Sequence, residues 1–266
     1  QRSYDWETRT LGSDHPQTLG TLGNLCVCMQ DCGKAVQALV LTQRCYDARM
    51  RTLGPDHADT WASLSGAATC MVALGKDLDA IPFLRKCLEA QTRIIGADHN
   101  STLSTLNSLA ASLRVTGSPD ALALSLSAWE GRARALGPDN ILTLTSLDNL
   151  AQAYLGNGDA SRAAVLSRRA LESCQNTLGT DHPTTLMCGN NLAQALLELE
   201  TSSGLAEAQQ LQQHAAETGR RTLGVGHPTT RMFDYNLTDV MTTRAAVRAR
   251  RTAAQLGTDP AVAASQ

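Results

Sequence analysis

Histidines that recur beside a carboxylate are the first residues in this chain that could do chemistry. The 266-residue sequence holds six histidines, and five of them, His15, His57, His99, His182 and His227, fall in variants of one segment. The segment reads TLGSDHP (10–16), TLGPDHA (52–58), IIGADHN (94–100), ALGPDNI (135–141), TLGTDHP (177–183) and TLGVGHP (222–228). An imidazole next to an aspartate is the pairing from which zinc sites and general bases are assembled. Eight cysteines offer a second candidate, above all CVCMQDC at 26–32. Both fail on spacing. Equivalent atoms of stacked helical repeats stand about 10 Å apart, whereas zinc holds all its ligands about 2 Å away. One segment supplies a single Asp and a single His, which is too few. C-x-C-x3-C has no second half elsewhere and matches no metal signature. The sequence also lacks G-x-S-x-G, a phosphate-binding glycine loop and H-E-x-x-H. No catalytic residue, metal or cofactor is expected, and the chain does not read as an enzyme.

What the segment does have is a period. Leu-Gly pairs fall at 11, 53, 136, 178 and 223, with Ile95-Gly96 between, so the spacings are 42, 42, 41, 42 and 45. Periods of this length mark solenoids, in which each unit buries its apolar face against its neighbours. Other columns keep the register. Leu25, Ala67, Leu109, Leu150, Leu192 and Leu237 align, then the mostly small Cys26, Ala68, Ala110, Ala151, Ala193 and Thr238. Met29, Met71, Leu113, Tyr154, Leu196 and Met241 follow three residues later, giving one face of a helix. A second set (Ala38, Ala80, Ala121, Ala163, Ala208 and their partners) describes another helix. Each unit is therefore a helical hairpin, with helix A at about 16–30 and helix B at about 34–51 in the first. Unit three lacks one residue near Gly117, and unit five carries three extra around 200–204; both read as loop-length changes. Pro82 falls inside the second helix B, so that helix is expected to start late.

The boundaries follow. Residues 1–266 form one solenoid, in which 1–10 end a preceding helix B. Repeats cover about 11–52, 53–94, 95–135, 136–177 and 178–222, and 223–266 are a partial repeat with a C-terminal cap. Arg244, Arg248, Arg250 and Arg251 suit a polar cap over the last apolar face, or else a basic docking segment. In the linkers, Gly12 suits the left-handed end of helix B and Pro16 a first helical turn. Asp14 is placed to cap helix A, with Gln17 completing a capping box, and His15 to donate across the turn or pack on the neighbouring linker.

The cysteines fit the same alignment. Cys26 takes a small-residue position, Cys28 and Cys70 share a column with Ser112, Ala153 and Ala195, and Cys45 and Cys87 share one with three alanines. They read as small core residues and free thiols. Cys174 and Cys188 fit no column and are expected to be more exposed. Free thiols imply a reducing intracellular compartment, cytoplasm or an organelle interior. A net charge of −2 gives no reason to expect nucleic acid, and no apolar run reaches the roughly 18 residues of a membrane span.

The period, the LGPDHP-like linker, and segments such as TLNSLAASL (105–113), LDNLAQAYLGNGD (147–159) and AVLSRRALE (164–172) resemble tetratricopeptide repeats of the kinesin-light-chain type over roughly residues 1–243. The resemblance implies an all-α, right-handed superhelical solenoid of antiparallel hairpins that binds a protein or peptide. It also draws attention to a polar column just before the Leu column: Asn24, Gly66, Ser108, Asn149, Asn191 and Asn236, with Asn107 and Asn190 one residue earlier. Asn is a poor helix former. Within the family, Asn at this position grips an extended peptide backbone in the concave groove. The plain structural reading is that these amides bond to neighbouring helices and fix the stack. Three roles compete: an adaptor that binds a peptide through this groove as part of a hetero-complex; a peripheral subunit permanently packed in a large assembly, an organellar one included, with Trp61, Trp129 or Phe233 exposed; and the sensor repeats of a longer signalling protein.

Overall fold

The computed structural model describes residues 2–256, and every regular element among them is an α-helix. The chain divides into two compact units, one up to Pro138 and one from Asp139. In the first, α1 (Arg2–Thr10) precedes three hairpins: α2 (Pro16–Asp31) with α3 (Ala35–Thr52), α4 (Ala58–Ala73) with α5 (Asp77–Ile95), and α6 (Asn100–Val115) with α7 (Asp120–Leu136). The second pairs α8 (Ile141–Gly156) with α9 (Ala160–Leu178) and α10 (Pro183–Glu198) with α11 (Ser202–Thr222), and ends in α12 (Pro228–Leu256). Among the described residues, no helix is long and apolar enough to cross a membrane.

Layering follows from residue size. Within each unit every A helix touches the next A helix, α2 with α4 and α4 with α6, then α8 with α10 and α10 with α12. Successive B helices keep their backbones farther apart and meet through long side chains, Arg85 to Asp120 at 3.8 Å and Arg168 to Glu207 in a two-pronged pair at 2.5 and 2.8 Å. The A helices can lie this close because Ala67, Ala68, Ala110, Ala151 and Ala193 are at most 1% exposed. Larger residues fill the remaining space, as where Leu84, Leu109 and Leu113 meet Ala68, Ala80 and Ala121. The A helices thus form the inner layer of each unit.

Besides the linker glycine, one further column of this scaffold has no exception. Seven residues after each linker Leu or Ile stands a threonine: Thr18, Thr60, Thr102, Thr143, Thr185 and Thr230, all at most 2% exposed. Thr60, Thr102 and Thr185 donate their hydroxyls to the linker carbonyls of Gly54, Gly96 and Gly179 at 2.8–2.9 Å. Those glycines are themselves constrained. Gly96, Gly137 and Gly179 end their helices at φ 88–93° and ψ 159–166°, an extended mirror-image region open essentially only to glycine. The helix ends are therefore more glycine-dependent than a left-handed helical cap would be.

The structure revises two expectations. Helix α5 starts on schedule at Asp77, with Pro82 inside it. Pro82 is exposed, and so is Leu78, whose carbonyl loses its amide partner, so water can take that place. The extra residues of the fifth repeat lengthen the helix and leave the loop unchanged: α11 has 21 residues. Thr201 caps it by accepting from Gly204 N at 3.1 Å, so the Ser-Ser-Gly run is a first helical turn. The last repeat has no separate helix B, because α12 continues without a break for 29 residues. Its second half lies along the start of α11, with Arg244 on Gln209, Arg250 on Glu200 and Arg251 on Ser202. Val247 and Ala253 are buried beneath.

Candidate partner-binding surface

The histidine column turns out to be a set of helix caps. In His15, His57, His99, His182 and His227, ring Nδ1 accepts from the backbone amide two residues on, at 3.1–3.3 Å. Asn140 does the same with Oδ1, to Leu142 N at 2.9 Å. Histidine and asparagine substitute for each other because both carry an acceptor one bond beyond Cγ. The aspartates, expected to cap, instead reach arginines at the end of the same hairpin: Arg51 to Asp14 at 3.1 Å, Arg93 to Asp56 at 2.9 Å, Arg134 to Asp98 at 3.0 Å, and Arg221 to Asp181. The Arg51 guanidinium, helped by Ser13, holds the Asp14 carboxyl below the usual carboxylate range. These pairs are exposed to solvent, so they add little to stability. The cap predicts a graded pair of variants. His182→Ala should lower the stability of the second unit by about 1 kcal/mol, and His182→Asn should leave it nearly unchanged. Urea midpoints check this, and equal losses would show that the acceptor is not what matters.

Among the described residues, no three His, Cys, Asp or Glu side chains converge as metal ligands would. All eight cysteines are free thiols; Cys28 and Cys32 are exposed and six are buried. Cys28 departs from its column: Cys70 is covered by the preceding hairpin, through Gln30 and Thr42, and Cys28 has no such cover among the described residues. Cys174 and Cys188, expected to be more exposed, are 0% and 1% exposed, with their sulfurs 3.9 Å apart. The contact raises the Cys188 thiol, and burial adds to it. Burial also pushes Cys26 and Cys87 up to about 12. Iodoacetamide at pH 8 should therefore label Cys28 and Cys32 in the folded chain and spare Cys26 and Cys87. Peptide mass mapping checks this; comparable labelling of Cys87 would contradict the burial.

Cys174 and Cys188 belong to a recurring contact, fourteen residues apart, between a helix B and the next helix A. Arg49 donates to Ser63 at 2.9 Å and Thr105 to Gln91 at 2.7 Å. In the last such contact Gly219 faces Phe233, whose ring lies 3.4 Å from where a Cβ would stand. Residue types change from repeat to repeat, but each pair remains complementary.

The asparagine ladder divides into two groups. In the second unit three of its members hold the stack together. Asn191 Nδ2 donates to Asp148 Oδ2 at 2.6 Å, and Asn190 Nδ2 to Asn191 Oδ1 at 3.1 Å. Asn236 Nδ2 and Gln212 Nε2 both donate to Asn190 Oδ1, at 2.7 and 2.9 Å. Asn190 is 2% exposed and faces its neighbours rather than a groove. The other group is open. Asn24 is exposed, Asn149 and Ser108 are half-buried, and among the described residues the side chains of all three lack a hydrogen bond. Asn107 is half-buried, with Oδ1 unpartnered. Asp148 and Gln212 were not singled out in the sequence. Asp148 shares the column of Asn107 and Asn190, and Gln212 shares one with Thr42, Leu84, Ser125 and Ser167, where its size and polarity are unusual.

Of the three aromatics singled out, only Trp129 lies on a B helix, α7, while Trp61 and Phe233 belong to the A helices α4 and α12. Phe233 is 1% exposed, Trp129 is half-buried, and half-buried Trp61 donates to Pro55 O at 2.6 Å. On the B helices Val36 and Val40 are exposed one turn apart on α3, and Leu78, Phe83 and Val165 are exposed on α5 and α9.

Sequence profiles of the tetratricopeptide repeat match residues 17–93, 143–184 and 185–229. No curated protein matches the chain. Among solved structures, the nearly identical TPR-like repeats of a Podosopora anserina protein described as a kinesin light chain superpose with a TM-score of 0.60 at 25% identity, over 79% of this chain and 98% of that one. A second structure of those repeats gives 0.59 at 25% identity, over 78% and 98%. BtubC from P. vanneervenii gives 0.63 at 21% identity, over 85% and 90%, a likeness of fold.

Proposed function

Because the chain belongs to the tetratricopeptide repeat family, we propose that it is a non-enzymatic scaffold that binds an extended peptide segment of a partner protein along its A-helix faces. Tetratricopeptide repeats mediate protein–protein contact. The observation that supports a peptide in particular is Asn149. It is a half-buried amide on an inner helix, and its side chain makes no hydrogen bond among the described residues. Such a group gains from a backbone donor and acceptor supplied by a partner. Asn24 and Ser108 repeat that offer in the first unit. The network around Asn190 complements it by holding α8, α10 and α12 in fixed register, so the face is preorganised and binding orders little. Hetero-complex membership follows from this reading, since an extended segment must belong to a partner.

The test is to pan random dodecapeptides on the full chain, then map amide hydrogen exchange with a selected peptide bound. Protection should concentrate in the A helices of one or both units. Protection confined to B helices, or the absence of any binder, would overturn the proposal.

A further inference from the structure

The A-helix face of the second unit contains a cavity of about 260 Å³. Small-molecule pockets run to about 300–1,000 Å³, so this one suits a single side chain. Leu155 of α8, Leu197 of α10 and Val240 of α12 supply its apolar lining. The rest is polar: Glu198 and Gln194 of α10, Asn236 and Asp239 of α12, and Gln212 from α11 beneath. No Lys, Arg or His lines it. Both carboxylates are exposed and neither is held in an ion pair among the described residues.

Gln212 makes this more than a pair of surface acids. It is 1% exposed, and its Oε1 has no hydrogen-bond partner. Its orientation is set by its neighbours. Asn190 uses its amide N–H on Asn191, so its Oδ1 must be the acceptor for both Asn236 and Gln212. Gln212 therefore donates from Nε2 and leaves Oε1 as a buried acceptor without a donor, a costly state. Two open carboxylates, an unfilled acceptor and apolar walls share one complement: a cation on an aliphatic stem.

We propose that this cavity takes a lysine or arginine side chain of the bound peptide, its methylenes against Leu155, Leu197 and Val240 and its charged head toward Glu198, Asp239 and Gln212. This rests on the peptide-binding reading above and adds a sequence preference to it. The panned dodecapeptides test it. Selected sequences should share a basic residue at one aligned position, and its replacement by alanine should weaken binding at least tenfold. The Glu198→Gln/Asp239→Asn variant should bind the parent and alanine peptides within about twofold of each other. Both substituted residues are exposed, so folding should survive. Binders that need no basic residue, or a basic preference the double variant leaves intact, would overturn the cavity assignment alone. Those outcomes leave the exchange footprint on the A helices in place. Absence of any binder removes the peptide reading and this inference together.

Discussion

Replacing Phe233 with alanine is expected to destabilise the second unit by about 3–5 kcal/mol, the largest effect of any single change considered. Phe233 is the largest fully buried side chain, and it packs with Leu186, Ala215 and Ala216, flanked by Met187, Met232 and Leu237. Neighbouring helix backbones cannot close over the vacated ring because Gly219 and Thr230 already approach closely. The cavity should therefore persist, and a persistent cavity carries the full penalty. In a repeat array, stability is close to a sum of repeat and interface terms. The loss should thus appear as a lower urea midpoint for the second unit, read by circular dichroism. Gly219→Ala/Phe233→Leu should recover part of it, because the pair acts by complementary size. A loss under 1 kcal/mol for Phe233→Ala would mean that α12 is not docked as described.

Asn190→Ala should cost about 2–4 kcal/mol, although Asn190 lies in the column from which binding residues were expected. The substitution removes the acceptor of both Gln212 Nε2 and Asn236 Nδ2. A buried donor left unpaired costs about 1–3 kcal/mol, and Gln212 is almost wholly buried. Asn149→Ala should be nearly neutral in the same assay, because no partner is lost. Equal losses at the two positions would dissolve the distinction between amides that hold the stack and amides left for a partner.

This division marks how far the sequence could be read. The 42-residue period and its aligned Leu and Ala columns placed helix A at about 16–30, and α2 runs Pro16–Asp31. Spacing determined these elements because a hairpin repeats its own geometry. Capping was harder. Asp-x-x-Gln in TLGSDHPQ satisfies the capping-box pattern, yet the helix starts one residue later than that pattern requires, and His15 caps it. Asn140 in the same slot carried the signal, since histidine and asparagine share an acceptor position and little else. The threonine column was regular in all six units, but its meaning depends on a linker carbonyl six residues earlier. Cys174 and Cys188 matched no column because that contact conserves the fit of a pair and not a residue type. The asparagines could be listed from sequence and not sorted, since sorting them depends on Asp148 and Gln212, which stand on other turns and another helix.

If partners bind the A-helix face through amides the fold leaves open, Asn149 must contribute to affinity and the outer face of α9 must not. The most direct test is the Kd of one selected peptide for the wild-type chain, for Asn149→Ala and for Val165→Asp, a change on the exposed face of α9. Binding should be about 3–10-fold weaker for Asn149→Ala, the worth of one hydrogen bond, and unchanged for Val165→Asp. Unchanged affinity in Asn149→Ala together with lost affinity in Val165→Asp would place the partner on the outer helices and contradict binding on the A-helix face.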